Sequence, residues 1–200
     1  MRTLLRRIIT GSTLLAMLTL FIKQAKGNYS DVFLYHPTAM AVASLGLMPE
    51  AISLAMQAKR SKGTNERCET VQTHVLVSFA CKFVALAGYL AIWKSKVERG
   101  KNHFTTWHGK IGILAGAVLF FQVILGALQF FSIPISMSQR MWYRRMHKNL
   151  GSVLGALWAA AFGLGFASNY AHKLFPDEKW MLVLCGGSCG AAILWSLLRE

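Results

Sequence analysis

Four histidines in this chain of 200 residues stand where imidazole side chains could do chemistry. Each lies at the start of a long apolar run, at His36, His74, His108 and His147. A neutral imidazole offers one ring nitrogen as a metal ligand, while the N–H of the other nitrogen can donate a hydrogen bond that fixes the ring. Their residue type and spacing make these four histidines the first candidates for metal ligands.

The segments that carry these histidines have the composition of membrane spans. Hydrophobic residues make up 54% of the chain and charged residues only 15%, and the charges cluster in short loops. A run of about 18 apolar residues can cross a bilayer. The pattern predicts an all-α, polytopic membrane protein folded as a single domain over residues 1–200. Six transmembrane helices are predicted, at 4–22, 33–57, 71–93, 104–132, 146–170 and 180–198. Pro49 predicts a kink within the second of them.

The alternating direction of the spans sorts the histidines into two pairs. Successive helices cross in opposite directions, so His36 and His108 should lie near one membrane face, and His74 and His147 near the other. Ionisable residues within spans usually face the protein interior and have a function. Two imidazoles on facing helices can hold an iron atom with a porphyrin between them. With both axial positions filled, such an iron transfers electrons. The prediction is a central four-helix bundle holding two haems.

Glycines near two of the histidines favour the same interpretation. The fourth span has Gly109, Gly112 and Gly116, and the fifth has Gly151 and Gly155. Small residues at intervals of three and four leave a groove along a helix, which predicts room for a porphyrin. Close helix–helix contact is the alternative use of such a pattern.

Other interpretations of the histidines stay open at this point. A zinc site normally gathers three or four ligands, and the sequence has no His-x-x-x-His motif. Four interfacial histidines, satisfied by water or carbonyl groups, would suit a non-enzymatic transporter subunit or scaffold. A haem-anchoring subunit of a larger respiratory complex is a further alternative.

The formal net charge of +14 is explained by membrane topology rather than by nucleic acid. No zinc-finger, P-loop or RNA-binding motif is found, and basic residues beside spans set orientation and meet anionic lipid. One side of the predicted topology carries twelve Lys and Arg and the other eight, which predicts cytosolic N- and C-termini. The first span also resembles a signal peptide, but "KQAKGNYS" lacks a small-x-small site, which favours an uncleaved anchor.

Four short motifs give the chain a resemblance to a known family. They are "YHPTAM", "THVLVSF", "WHGKIG" and "MHKNLG", each at the opening of a predicted span. Together with the hydropathy pattern they resemble the cytochrome b561 family over residues 32–170, most closely its short six-helix members. The resemblance implies a transmembrane reductase with two haem b groups as cofactors. It assigns His36 and His108 to the outer haem, and His74 and His147 to the cytosolic haem.

The resemblance also implies the substrates and one binding site. In that family ascorbate is the usual cytosolic donor, and monodehydroascorbate or a ferric chelate is the usual acceptor on the far side. Basic residues before the cytosolic histidines bind ascorbate in such members, which here indicates Arg140 and Arg67, each seven residues before its histidine. The chain departs from the family pattern at Val71, where a second lysine is typical, and in "TTWHGK", which replaces an "SLHSW"-like motif. No side chain is assigned a catalytic role of its own.

Location and the remaining polar residues complete the expectations. Besides the two small molecules, membrane lipid is the expected partner, and a homodimer stays open. An endomembrane, vesicle or plasma membrane is the expected location. Glu50 and Lys82 fall at similar depth in consecutive spans, which predicts a buried ion pair. His103 and His172 fall in outer loops, where they could bring a metal substrate near the outer pair.

Overall fold

The computed structural model describes residues 29–131 and 136–174, together with the single positions Gly11, Leu15 and Ile22. Apart from those three positions, the first predicted span lies outside the described residues, as does the whole of the sixth. Every regular element in the described part is helical. Four helices there are long and apolar enough to cross a membrane: Val32–Arg60, Thr64–Glu98, Trp107–Phe130 and Met137–Ala171. They confirm the second to fifth predicted spans and the all-helical, polytopic class.

Helix α1 (Val32–Arg60) is continuous but changes its winding along its length. It consists of a 3₁₀ turn at Val32–Leu34, an α-helix at Tyr35–Ala41, a π-helix at Val42–Leu47 and an α-helix at Met48–Arg60. Pro49 accounts for the change, because proline has no N–H to donate and its ring clashes with the carbonyl group four residues earlier. The irregularity predicted at Pro49 therefore takes the form of a π-helical turn just before it.

Helix α2 (Thr64–Glu98) is longer than the apolar run that predicted it. The polar residues before position 71 continue the helix towards its N-terminus, since helix formation does not require an apolar sequence. At the other end the helix stops in a Schellman motif. Gly100 has a φ of 59°, which glycine adopts at little cost. Its N–H donates to Val97 O at 3.1 Å, and Lys101 N–H donates to Lys96 O at 2.9 Å.

Helix α3 (Trp107–Phe130) starts three residues later than the predicted start at 104. Thr106 is its N-cap, and the Thr106 hydroxyl accepts a hydrogen bond from Gly109 N–H at 3.2 Å. Such a cap satisfies one of the N–H groups that the first turn of a helix leaves unpaired. The polar cap therefore sets the boundary, and Phe104, at which the predicted span began, lies before the helix.

Helix α4 (Met137–Phe166) starts nine residues before the predicted start at 146. Ser136 and Gln139 form a capping box: Gln139 N–H donates to Ser136 Oγ at 3.3 Å, and Ser136 N–H donates to Gln139 Oε1 at 2.9 Å. This reciprocal pairing stabilises a helix start in a polar sequence. A short helix, α5 (Asn169–Leu174), follows α4.

The helices group into two compact units, one ending at His103 and the other starting at Phe104. The first contains α1 and α2, here called the first hairpin, and the second contains α3 and α4, the second hairpin. In the first hairpin the helices pack closely at Gly88, where an added Cβ would lie 2.9 Å from the Cβ of Ala39. Small residues at such crossings are typical of membrane helices.

Candidate functional site

The four predicted ligand histidines occupy two kinds of position in their helices. His36 and His108 are each the second residue of a regular α-helix, Tyr35–Ala41 and α3 respectively. His74 and His147 are each the eleventh residue of their helix, α2 and α4. His74 and His147 therefore lie at the start of the apolar run within their helix, as predicted, but not at the start of the helix itself. Both helices begin in polar sequence, ten residues before the histidine.

Both histidines of the first hairpin are held by the opposite helix. His36 Nδ1 lies 3.0 Å from the carbonyl oxygen of Gly88, and His74 Nδ1 lies 2.8 Å from that of Ala51. The first contact joins the start of α1 to the later part of α2, and the second joins the later part of α1 to the earlier part of α2. The antiparallel packing of the hairpin therefore orients both rings, and both are half-buried.

His108 is held in the same way within the second hairpin. Its Nδ1 lies 2.7 Å from the carbonyl oxygen of Ala161 on α4. Gly165, one turn further along α4, lies beside the ring, since a Cβ there would be in ordinary van der Waals contact with His108 Cε1, at 3.5 Å. The helix that faces His108 thus supplies a hydrogen-bond acceptor and packs against the ring.

These three contacts fix the chemistry of the rings. A carbonyl oxygen can only accept a hydrogen bond, so Nδ1 must carry the proton in His36, His74 and His108. The lone pair then belongs to Nε2, which is the atom available to a metal. An N–H donated to a carbonyl also makes the imidazole a more basic ligand and fixes its orientation. This donor set fits axial ligation of haem iron.

Two residues of α3 contact His147: one forms a hydrogen bond with its backbone, and the other is a glycine that lies beside its ring. The Gln122 side chain of α3 donates from Nε2 to the backbone carbonyl oxygen of His147 at 2.9 Å. Gly126 lies beside the ring, since an added Cβ there would be 3.3 Å from His147 Cε1. Sequence reasoning did not identify Gln122, although a lone amide within "LFFQVILG" was a visible signal.

The two hairpins repeat one layout at a nearly constant offset in the sequence. His108 follows His36 by 72 residues, and Ala161 follows Gly88 by 73. His147 and Arg140 follow His74 and Arg67 by 73 residues each. Each hairpin therefore offers one histidine near the start of its first helix and another at the eleventh residue of its second.

Three of the five glycines predicted to form a groove fall into two groups. An added Cβ at Gly112 or Gly116 would meet no atom of the described residues within 4 Å, so both leave open space on α3 within that part of the chain. At Gly151, an added Cβ would lie 2.8 Å from Gln122 Nε2. Close contact between helices therefore explains Gly151, whereas the groove stays a prediction for Gly112 and Gly116.

Arg67 and Arg140, the predicted substrate-binding residues, occupy matching positions. Each is the fourth residue of its helix and precedes His74 or His147 by seven. Seven residues make about two helical turns, or ~10 Å along the axis, and return to nearly the same face. Arg67 is exposed and Arg140 is half-buried. Each arginine thus shares a helix face with a candidate ligand.

Other polar residues singled out in the sequence have different surroundings. The His103 ring stacks on Trp93, with centroids 3.9 Å apart and planes 24° apart. The Lys82 ammonium lies 5.3 Å from the centre of the Phe79 ring, a cation–π distance, and its ion pair with Glu50 stays a prediction. The side chain of His172 lies outside the described part of the chain.

Comparison with known proteins identifies the family. The family model for eukaryotic cytochrome b561 matches residues 35–173. The chain is 29% identical to the bovine (Bos taurus) protein "Transmembrane reductase CYB561D2" over 168 residues, which are 84% of this chain and 76% of the relative. It is 25% identical to the human (Homo sapiens) protein of the same name, with the same coverage.

The matched region contains all four histidines and both helix pairs. The protonation pattern of three of these histidines suits the cofactor of that family. The chain belongs to the eukaryotic cytochrome b561 family and is a haem-based transmembrane electron-transfer protein.

Proposed function

We propose that this protein is a transmembrane reductase that binds two haem b groups and carries electrons from cytosolic ascorbate to an acceptor on the opposite side. The acceptor class is monodehydroascorbate or a ferric chelate. His36 and His108 would hold the haem on the non-cytosolic side, and His74 and His147 the haem on the cytosolic side. The N- and C-termini would then both be cytosolic.

The carrying observation is the set of three Nδ1–carbonyl hydrogen bonds. In His36, His74 and His108, Nδ1–H donates a hydrogen bond to a backbone carbonyl group of the opposite helix, at 2.7 to 3.0 Å. Each of these rings therefore presents Nε2 as a ligand, in an orientation set by the hairpin. A structural histidine could also be satisfied by a carbonyl group, so metal ligation is supported by two observations together: the same Nδ1 contact recurs at three histidines, and all of them lie in the region that matches the cytochrome b561 family.

The protein's own part in electron transfer is to hold ligands and to exclude water. A haem iron with two imidazole ligands supplies reversible one-electron chemistry and has no open position for oxygen. By raising the basicity of the imidazoles, their carbonyl partners would favour the oxidised form of an iron bound there. The long apolar stretches of α1 to α4 keep water away, which limits side reactions along the route.

The donor would bind at the N-terminal ends of α2 and α4. Ascorbate is an anion at neutral pH, and an arginine can pair with a planar anion through two parallel hydrogen bonds. Arg140 and Arg67 stand two turns before the proposed cytosolic ligands. An anion held there would be on the helix face that leads to His147 and His74, which keeps the distance for electron transfer short.

Spectroscopy of the purified full chain tests this proposal directly. Protein from haem-replete cells should contain two haem b groups per chain, both reducible by dithionite and at least one by ascorbate. In vesicles, ascorbate should reduce the protein rapidly from one side, and a ferric chelate should reoxidise it from the other. Colourless protein would overturn the proposal. Haem that ascorbate cannot reduce would overturn the donor assignment alone.

A further inference from the structure

A buried glutamine of α3 has a contact pattern that the proposed ligands and substrate site do not explain. Gln122 is only 6% exposed and lies eight residues before the end of α3, inside an apolar stretch. Burying an amide is costly unless both of its ends form hydrogen bonds. A glutamine kept at such a position should have a specific partner.

Within the part of the chain that the structure describes, one end of this amide is paired and the other is not. Gln122 Nε2 donates to the backbone carbonyl oxygen of His147 at 2.9 Å. Its Oε1 is buried and has no hydrogen-bond partner within residues 29–131 and 136–174. An unsatisfied buried acceptor destabilises a protein, and an apolar side chain would avoid that cost. The hydrogen bond from Gln122 Nε2 to His147 therefore explains why an amide, and not an apolar side chain, occupies this buried position.

The neighbouring helix is shaped to admit this bond. Gly151 lies one turn after His147 on α4, and a Cβ at that position would be only 2.8 Å from Gln122 Nε2. In an α-helix the His147 carbonyl also accepts the N–H of residue 151. The same turn of α4 thus provides the acceptor, which is the His147 carbonyl group, and the space at Gly151 that lets the Gln122 amide approach it.

The two hairpins hold their second histidine by different means. In the first hairpin, Ala51 O of the opposite helix accepts directly from the His74 ring. In the second, the Gln122 side chain of the opposite helix donates a hydrogen bond to the backbone carbonyl group of His147. A hydrogen bond to the peptide fixes the helical turn from which the imidazole projects.

We propose that Gln122 is a positioning residue for His147, acting through the backbone carbonyl group and not by contact with the cofactor. The proposal rests on the proposed function, in which His147 is an axial ligand of haem iron. Without this bond, the turn of α4 around His147 shifts and the imidazole changes its angle to the iron. Ligand orientation and hydrogen bonding near the ligand set the potential and spectrum of a haem.

The test compares two amide-to-thioether variants of α3. Gln122→Met keeps the length of the side chain and removes the bond to His147. Gln129→Met is the matched control, because Gln129 Nε2 donates to Leu125 O within its own helix, at 3.0 Å. Electron paramagnetic resonance and redox titration of oxidised, purified protein report each haem separately. The haem signal that His74→Ala abolishes identifies the site shared by His74 and His147.

Gln122→Met should shift that signal, or abolish it, and leave the other haem as in the unmodified protein. A threefold change in its reduction equilibrium is expected, about 30 mV for a one-electron couple. Gln129→Met should change neither haem. Unchanged signals in Gln122→Met, or equal shifts in both variants, would overturn the proposal. Absence of haem from the unmodified protein would instead overturn the proposed function.

Gly151→Ala gives an independent answer, and decides the matter if Gln122→Met does not fold. The added Cβ should displace the Gln122 amide and reproduce the shift at the same haem. Ala156→Val, which adds bulk at an exposed position of α4, should leave both haems unchanged. A Gly151→Ala variant with two unaltered haem signals would contradict the role assigned to Gln122.

Discussion

His74 Nδ1 lies 2.8 Å from the carbonyl oxygen of Ala51, so α1 orients the ring that α2 carries. His36 and Gly88 repeat this relationship with the two helices exchanged, since there the ring is on α1 and the carbonyl group on α2. Each helix of the first hairpin therefore positions a histidine of the other. Changes that disturb the packing of these helices should alter both rings.

The proposed ligand pairs predict which histidine variants behave alike. His36→Ala and His108→Ala should each remove the same haem, because a single axial imidazole holds a haem poorly. His74→Ala and His147→Ala should each remove the other haem. Haem content and the reduced-minus-oxidised spectrum of purified protein measure this. His103→Ala is the control and should retain both haems. If His36→Ala and His74→Ala instead removed the same haem, the proposed pairing would be wrong.

Gly88→Ala should destabilise the protein by about 1–3 kcal/mol, the usual range for overpacking a tight contact. The new Cβ would lie 2.9 Å from Ala39 Cβ and 3.5 Å from His36 O, so α1 and α2 must separate. Thermal unfolding in detergent measures the loss. Ala87→Val adds volume at the neighbouring, exposed position, and should change the unfolding temperature little. Equal stability of the two variants would show that the crossing is looser than described.

Removal of Arg140 or Arg67 should weaken reduction by ascorbate. A hydrogen bond to a charged group contributes about 1.5–3 kcal/mol, so Arg140→Ala should raise KM for ascorbate roughly tenfold or more. Arg67→Ala should act in the same direction but less, since this side chain is more exposed. Reduction by dithionite is the internal check and should not change. Lys62→Ala, at an exposed loop position, should leave KM unaltered.

The ion pair between Asp31 and Arg99 should stabilise the first hairpin modestly. Arg99 Nη2 lies 2.6 Å from Asp31 Oδ1, which also accepts from Phe33 N–H at 3.0 Å. Asp31→Asn keeps the capping contact and removes the charge, so about 0.5–1 kcal/mol should be lost. Thermal unfolding at low and high salt measures this, and the difference should shrink as salt rises.

A second ion pair on α2 provides the comparison. Lys94 and Glu98 are 3.7 Å apart, with 64% and 53% of their side chains exposed, so Glu98→Gln should have no measurable effect. If Asp31→Asn and Glu98→Gln lowered the unfolding temperature equally, the shorter ion pair between Asp31 and Arg99 would contribute no more stability than the exposed pair.

The spans and the histidines could be predicted because hydropathy and residue type are local properties. The start of α4 was missed, although Ser136 and Gln139 form a capping box before a polar helical turn. The apolar run alone placed that start at 146, because hydropathy marks where hydrocarbon begins and not where a helix begins. The start of α2 at Thr64 was missed for the same reason.

The groups that hold the rings could not be predicted, because most of them are backbone atoms. The carbonyl groups of Ala51, Gly88 and Ala161 accept from imidazoles only because the helices pack in one register. Nothing in the types of those residues marks this role. Gln122 is different, since an amide within an apolar stretch is conspicuous, but its partner is again a carbonyl group on another helix.

The π-helical turn at Val42–Leu47 has a consequence for variation in chain length. A π turn contains one residue more than the α turn it replaces. Deleting a single residue from this stretch, together with Pro49→Ala, would restore regular winding, while His36 at one end and Ala51 at the other kept their alignment with α2. Elsewhere in α1 the same deletion would rotate one of these positions away from its contact. The segment is therefore the place where this helix tolerates a shortening.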